Sequence, residues 1–190
     1  MSSGTDLVAT PGQTVGPFFG FALPYDGGED LVPPSHPDAV RLTGLVLDGD
    51  QQPVPDAVIE IWQADGEGRI SAEPGSLRRD GYTFTGWGRA STDNTGRYSF
   101  TTVRPGPTEP GRLPFIAMVV FARGLTNRLF TRVYLPAADD ALAADPLLGS
   151  LPVNRRGTLV ATEDAGGLHF DVRLQGQDET VFLIFPGQLA

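Results

Sequence analysis

Across its 190 residues the chain has no cysteine. This excludes a disulfide framework, a thiolate metal site and a cysteine nucleophile, and it suits a reducing compartment. Lysine is missing too: all 14 basic residues are arginine, and with 23 Asp and Glu the net charge is −9. A surface of that sign repels a polyphosphate backbone, so nucleic acid is not the expected partner. No apolar run approaches the roughly twenty residues needed to cross a bilayer, and the first residues lack the basic-then-apolar pattern of a secretory leader. The expectation is a cytoplasmic protein with no membrane partner. Histidine is scarce. His36 stands in a proline-rich loop and His169 in an alternating strand, too far apart in sequence to suggest a shared site. Gly-x-Ser-x-Gly elbows, Walker loops and dinucleotide fingerprints are also lacking.

What is present is a period of two. "VRLTGLVLDGD" from Val40 alternates and ends in an Asp-Gly turn, and "AVIEIWQADGEG" repeats the pattern. In "GWGRASTDNTGRYSFTTVRPG" two runs flank Asp93-Asn94-Thr95-Gly96 as a hairpin. Further strands are predicted at "FIAMVVFARG", "LFTRVYL", "TLVATE", "LHFDVRLQG" and "TVFLIF", with a short helical turn between Asp139 and Leu148. With 24 glycines and 17 prolines punctuating these runs, the fold class is all-β: an antiparallel β-sandwich of about eight strands with an extended N-terminal arm. A chain of this length forms one domain. Residues 1–39 are read as arm and lead-in, and residues 40–190 as the sandwich.

The arm contains "TPGQTVGPFFGF", Thr10 to Phe21, with three glycines, two prolines and three phenylalanines in twelve positions. Glycine permits close backbone approach, proline holds the chain extended, and phenylalanines on a loop call for a surface to cover. The segment is therefore expected to dock. Among the carboxylates, Asp139-Asp140 suit a solvated turn, and Glu60 reads as the outward member of a strand whose Ile59 and Ile61 point inward.

The stretch "GLVLDGDQQPVPDAVIEIWQADGEG", followed about twenty residues on by "GWGRASTDNTGRYSFTTVRPG", resembles the intradiol ring-cleavage dioxygenases. The hairpin half of the pattern also occurs in transthyretin-like sandwich modules; Trp62-Gln63-Ala64-Asp65 is the more specific half. The likeness continues through "VVFARGLTNRLFTRVYLP" and "FDVRLQGQDETVFLIF". The family holds Fe(III) with two tyrosine phenolates and two imidazoles, hard and borderline donors, the histidines coming as His-x-His on one strand face. Here Phe115 and Ala117 fill the two histidine slots, Thr108 stands where a tyrosine follows the Pro-Gly turn, and Tyr82 alone remains as a candidate phenolate.

Short length, a Gln-Thr-x-Gly-Pro arm and a Phe-Ala-Arg-Gly strand end resemble the alpha-type subunits of the two-subunit members of the family. The resemblance implies a homologous beta subunit that binds Fe(III), with protocatechuate and O2 meeting at a shared pocket and the ring cleaved to 3-carboxy-cis,cis-muconate. This chain would supply no catalytic residue and no metal ligand. By the same resemblance Thr14, Gly16, Pro17 and Arg123 line the substrate pocket, the guanidinium attracting an anionic substrate. The same residues would also serve a plain turn, the shape of the arm, or an ion pair with a surface carboxylate. The other functional class open to the sequence is a transthyretin-like binding or scaffold module without activity.

Overall fold

The computed structural model describes residues 14, 16, 18–73 and 80–185. A one-turn helix α1 (Phe19–Ala22) precedes the strands β1 (Ala39–Leu47), β2 (Val58–Gln63), β3 (Trp87–Ser91), β4 (Arg97–Val103), β5 (Phe115–Phe121) and β6 (Leu129–Tyr134). Three short helices, α2 (Asp139–Ala144), α3 (Pro146–Ser150) and α4 (Val153–Arg156), lead to the brief strands β7 (Thr162–Asp164), β8 (Gly167–His169) and β9 (Val172–Arg173). One sheet runs β4-β1-β8-β7 with β9 also on β1; the other runs β3-β2-β5-β6. No helix among the described residues is long and apolar enough to cross a membrane.

The alternation in sequence becomes alternation in burial. On β5, Ile116, Met118 and Val120 are buried while Phe115, Ala117, Val119 and Phe121 are half-buried on the opposite face. Ile59 and Ile61 of β2 meet Leu42 and Val46 of β1, Tyr98 and Phe100 of β4, and Leu168, Phe170 and Val172 in one core between the sheets. A second cluster, Tyr134, Leu142, Leu148 and Leu159, forms under the helices. Asp145 starts α3 as a true cap, its carboxylate accepting from the Leu147 and Leu148 amides.

The expected antiparallel sandwich needs correction in its pairing. Two of the contacts of β1 are parallel: Leu42 and Thr43 face Leu168 and His169, and Val46 and Leu47 face Val172 and Arg173. The single run read as "LHFDVRLQG" is split into β8 and β9 at Phe170-Asp171. There the Phe170 carbonyl accepts the Tyr98 hydroxyl at 2.5 Å, and a Cβ on Gly44 would lie 1.8 Å from that same oxygen. Asp171 repairs the break by accepting the Leu45 amide with its side chain at 2.9 Å. Gly44 is therefore required by a close approach, which explains the glycine in the middle of β1. Two other predicted strands differ. "TLVATE" opens with a 3-10 turn at Gly157–Leu159 before β7, and "TVFLIF" lies beside β6 through Leu183 N–H to Phe130 O at 2.7 Å without joining the sheet as a strand.

The Trp-Gln-Ala-Asp run joins the two sheets. Gln63, 4% exposed, donates to the Val103 carbonyl at 2.8 Å and accepts from Thr102 Oγ1 at 2.8 Å, so a β2 side chain is bonded to β4 across the core. Asp65 then folds the following turn, accepting from Glu67 N, Arg69 N and Arg69 Nε. Burial opposes ionisation of Asp65, but these donors together hold its carboxyl below the usual range. Its carbonyl accepts Gly106 N–H at 2.7 Å, and a Cβ on Gly68 would lie 2.1 Å from Pro107 O. The two glycine-rich turns, "ADGEG" and "VRPG", thus interlock. Gln63→Leu would strand the Thr102 hydroxyl and the Val103 carbonyl in the core, at a cost of about 2–4 kcal/mol. Thermal denaturation should show a fall of about 5–15 °C for a chain of this size; an unchanged Tm would contradict the cross-sheet role.

Candidate functional site at the outer face of the second sheet

The face of β3-β2-β5-β6 turned away from the core carries Phe115 and Ala117, the residues that the resemblance sets in the two histidine slots. Across it Trp62 is opposite both Trp87 and Ala117, and Ala117 is opposite Arg132. Phe115 and Ala117 point to this same face, as the period of two requires. Their surroundings are not those of a ferric site. The Arg132 guanidinium lies 4.0 Å from the centre of the Phe115 ring, and its Nη1 donates to Tyr134 Oη at 3.2 Å. Tyr134 in turn donates to Asp145 Oδ1 at 3.3 Å, and burial pushes its phenol up against the opposing pull of Arg132. The slots thus hold a phenyl ring, a methyl group and a fixed positive charge. Those groups offer no donor to Fe(III), and the charge repels it. Thr108 and Tyr82 do not complete a set: Thr108 is exposed on its loop and Tyr82 is 95% exposed. Among the described residues no three of His, Asp and Glu gather as a metal site. The residues present do not fit the iron.

The other half of the face is covered by the lead-in. Arg89 on β3 and Glu60 on β2 form a part-buried pair, Nη2 to Oε1 at 2.5 Å and Nε to Oε1 at 2.9 Å, with the side chains 14% and 19% exposed. Arg89 Nη1 also donates to the Leu23 carbonyl at 2.6 Å. Tyr25 stacks on Trp87, its ring plane tilted by 10°, and the Arg89 backbone N–H reaches Gly28 O at 2.8 Å. Glu60, outward-facing as predicted, is the counter-ion that anchors this strap. Leu31 continues into the core.

Upstream of the strap, α1 lies against the end of the sheet. Of the three arm phenylalanines only Phe19 is buried, 6.5 Å from Phe121 between ring centres; Phe18 and Phe21 are 76% and 87% exposed. A Cβ on Gly20 would lie 3.3 Å from Asp56 O. Asp56 in turn binds Arg123, Oδ2 accepting from Nη2 at 2.5 Å and Oδ1 from Nε at 3.3 Å. Arg123, 64% exposed at its side chain, is thus engaged by a surface carboxylate at the sheet end that carries α1. Thr14 is exposed, and its Oγ1 accepts Gly16 N–H at 3.3 Å. Gly16 has φ +73 with nothing within 4 Å of a Cβ placed there, so its glycine serves the turn itself. Pro17 lies outside the described residues. Sequence reasoning missed Asp56 and Arg132. The signals were the Pro-Asp turn just before β2 and the position of Arg132 two residues before Tyr134, on the same strand face.

Residues 16–176 of this β-sandwich match the family described as Dioxygenase. The chain belongs to the intradiol ring-cleavage dioxygenases. It is 41% identical to the protocatechuate 3,4-dioxygenase alpha chain of Burkholderia cepacia, over 94% of this chain and 98% of that one. The beta chain of the same organism's enzyme is 32% identical, over 83% of this chain and 78% of its own. Among solved structures, the dioxygenase domain of a dioxygenase carbohydrate-binding protein fusion from Streptomyces sp. SirexAA-E superposes with a TM-score of 0.59 at 25% identity, covering 88% of this chain and 99% of that domain. The substituted ligand slots carry a direct expectation. Purified alone, the chain should be colourless and free of stoichiometric iron, because no tyrosinate is available for charge transfer to Fe(III). Metal analysis and a visible spectrum check this, and one iron per chain with a visible band would overturn the assignment of the slots.

Proposed function

We propose that this chain is a non-iron-binding alpha-type subunit that completes the protocatechuate pocket of a homologous beta-type subunit. The partner would hold Fe(III), which supplies activation of the catechol toward O2; both atoms of O2 end in the product, 3-carboxy-cis,cis-muconate, as the bond between the hydroxylated carbons is cleaved. The observation that carries the reading is the outer face of β5, where Phe115 and Ala117 replace donors and Arg132 lies over Phe115. A chain with that face can serve the reaction only by binding, orienting and assembling. The likeness to alpha chains supports the same division of labour.

In this account Arg123 supplies positive charge to an anionic substrate from a chain that is otherwise strongly acidic. Thr14, Gly16 and Pro17 shape the pocket mouth, the glycine allowing backbone to approach the ring and the proline stiffening the wall. Phe21 on α1 and Phe18 just before it, both bare, are the surfaces that a partner would cover.

Co-expression with an iron-binding beta-type chain should yield a complex that consumes O2 on addition of protocatechuate. In that complex Arg123→Ala should lower kcat/KM for protocatechuate about five- to 150-fold, with iron content and assembly intact and with catechol, which lacks the carboxylate, less affected. Equal losses on both substrates would assign Arg123 a structural role. Deleting residues 1–17 keeps Phe19 and its packing, so the isolated chain should melt as before. Oxygen uptake by the complex should fall about tenfold or more as the pocket mouth is lost. A truncated complex that assembles and turns over at the full rate would make the arm irrelevant to function.

A further inference from the structure

We propose that Asp56 is a positioning residue for the substrate carboxylate: it fixes the plane of the Arg123 guanidinium and links that orientation to the seating of the arm. The inference rests on the reading of Arg123 as a pocket residue. Asp56 meets Arg123 edge-on, through Nε and Nη2. A carboxylate bound to that edge leaves Nη1 and the second N–H of Nη2 free to receive another carboxylate. An arginine as exposed as Arg123 would otherwise sample many rotamers, and holding it in advance lowers the entropy lost when an anion binds.

The backbone under Asp56 is itself constrained. Asp56 adopts φ +63, a left-handed conformation that Asp and Asn tolerate better than most residues but that needs support from the surrounding structure. Support comes from both sides of the turn. Val54 and Ala57 are buried, Thr92 Oγ1 donates to Val54 O at 2.9 Å, and Thr92 N–H donates to Ala57 O at 2.8 Å. On its other flank the Asp56 carbonyl is 3.3 Å from where a Gly20 Cβ would stand, so α1 is seated against the residue that orients Arg123. One carboxylate thereby connects the arm to the charge. The ligand that this device suits is a ring bearing a carboxylate; an uncharged catechol gains nothing from it.

The test uses the assembled alpha-beta enzyme. Asp56→Asn keeps the turn and loses the charge. It should raise KM for protocatechuate about fivefold while kcat stays within about twofold, and leave KM for catechol unchanged. In an Arg123→Ala background the same substitution should add nothing, because the group it positions has gone. A KM for protocatechuate that does not rise, a rise shared equally by catechol, or a full additional effect on top of Arg123→Ala would each overturn the proposal. If Arg123→Ala is itself silent, the pocket reading of Arg123 falls and this inference falls with it. If Arg123→Ala acts and Asp56→Asn does not, only the inference falls. Should Asp56→Asn fail to assemble, Asp56→Gly, which adopts φ +63 without strain, makes the same comparison with the same deciding outcomes.

Discussion

The part-buried pair between Arg89 and Glu60 is the contact on which the functional geometry depends. It joins β3 to β2 on the outer face, and its spare donor takes the Leu23 carbonyl, so one guanidinium fastens the lead-in to the sheet. Removing Glu60 would leave a largely buried cation without its partner, the costly half of a salt bridge. Removing Arg89 would also unstack the cation from Trp87, 4.9 Å from its ring centre, and release Leu23. With the strap in place, α1 is brought to the end of the sheet, beside Asp56 and Phe121. Without it, α1 would rely on the packing of Phe19 against Phe121 and of Gly20 against Asp56, since it is a single turn with no side-chain cap.

From that anchor the site follows in order. The sheet turns Ile59, Ile61, Ile116 and Met118 into the core and must present the alternate residues outward. In this chain that outward face carries Phe115, Ala117 and Arg132. At the end of the same sheet the Arg123–Asp56 pair lies beside α1. A phenyl ring and a methyl group pack readily on this sheet face, where Phe115 and Ala117 are half-buried.

Much of this was legible in the sequence, for reasons that can be named residue by residue. Period-two runs gave the core strands because burial of one face forces alternation, and Phe115 and Ala117 could be placed on one face by counting two. The outward position of Glu60 was legible for the same reason. The parallel pairing of β8 and β9 was not, because it depends on the Phe170 carbonyl occupying the space over Gly44, a contact between residues 126 apart in the chain. Nor was the Asp56 to Arg123 pair. Both residues sit in turns, where charge gives no periodic signal and a partner 67 positions away is fixed only by the fold. The sequence treated the three arm phenylalanines alike, and only the fold separates Phe19, which packs on Phe121, from Phe18 and Phe21, which are exposed.

The central claim is that this chain completes a pocket whose metal belongs to another subunit. Its most direct test is an experimental structure of the alpha-beta enzyme with protocatechuate bound. The account predicts iron only among beta-subunit ligands, with the Arg123 guanidinium of this chain facing the bound substrate and its Nε edge still on Asp56. A substrate enclosed wholly by one subunit, with Arg123 facing bulk solvent far from it, would contradict the account.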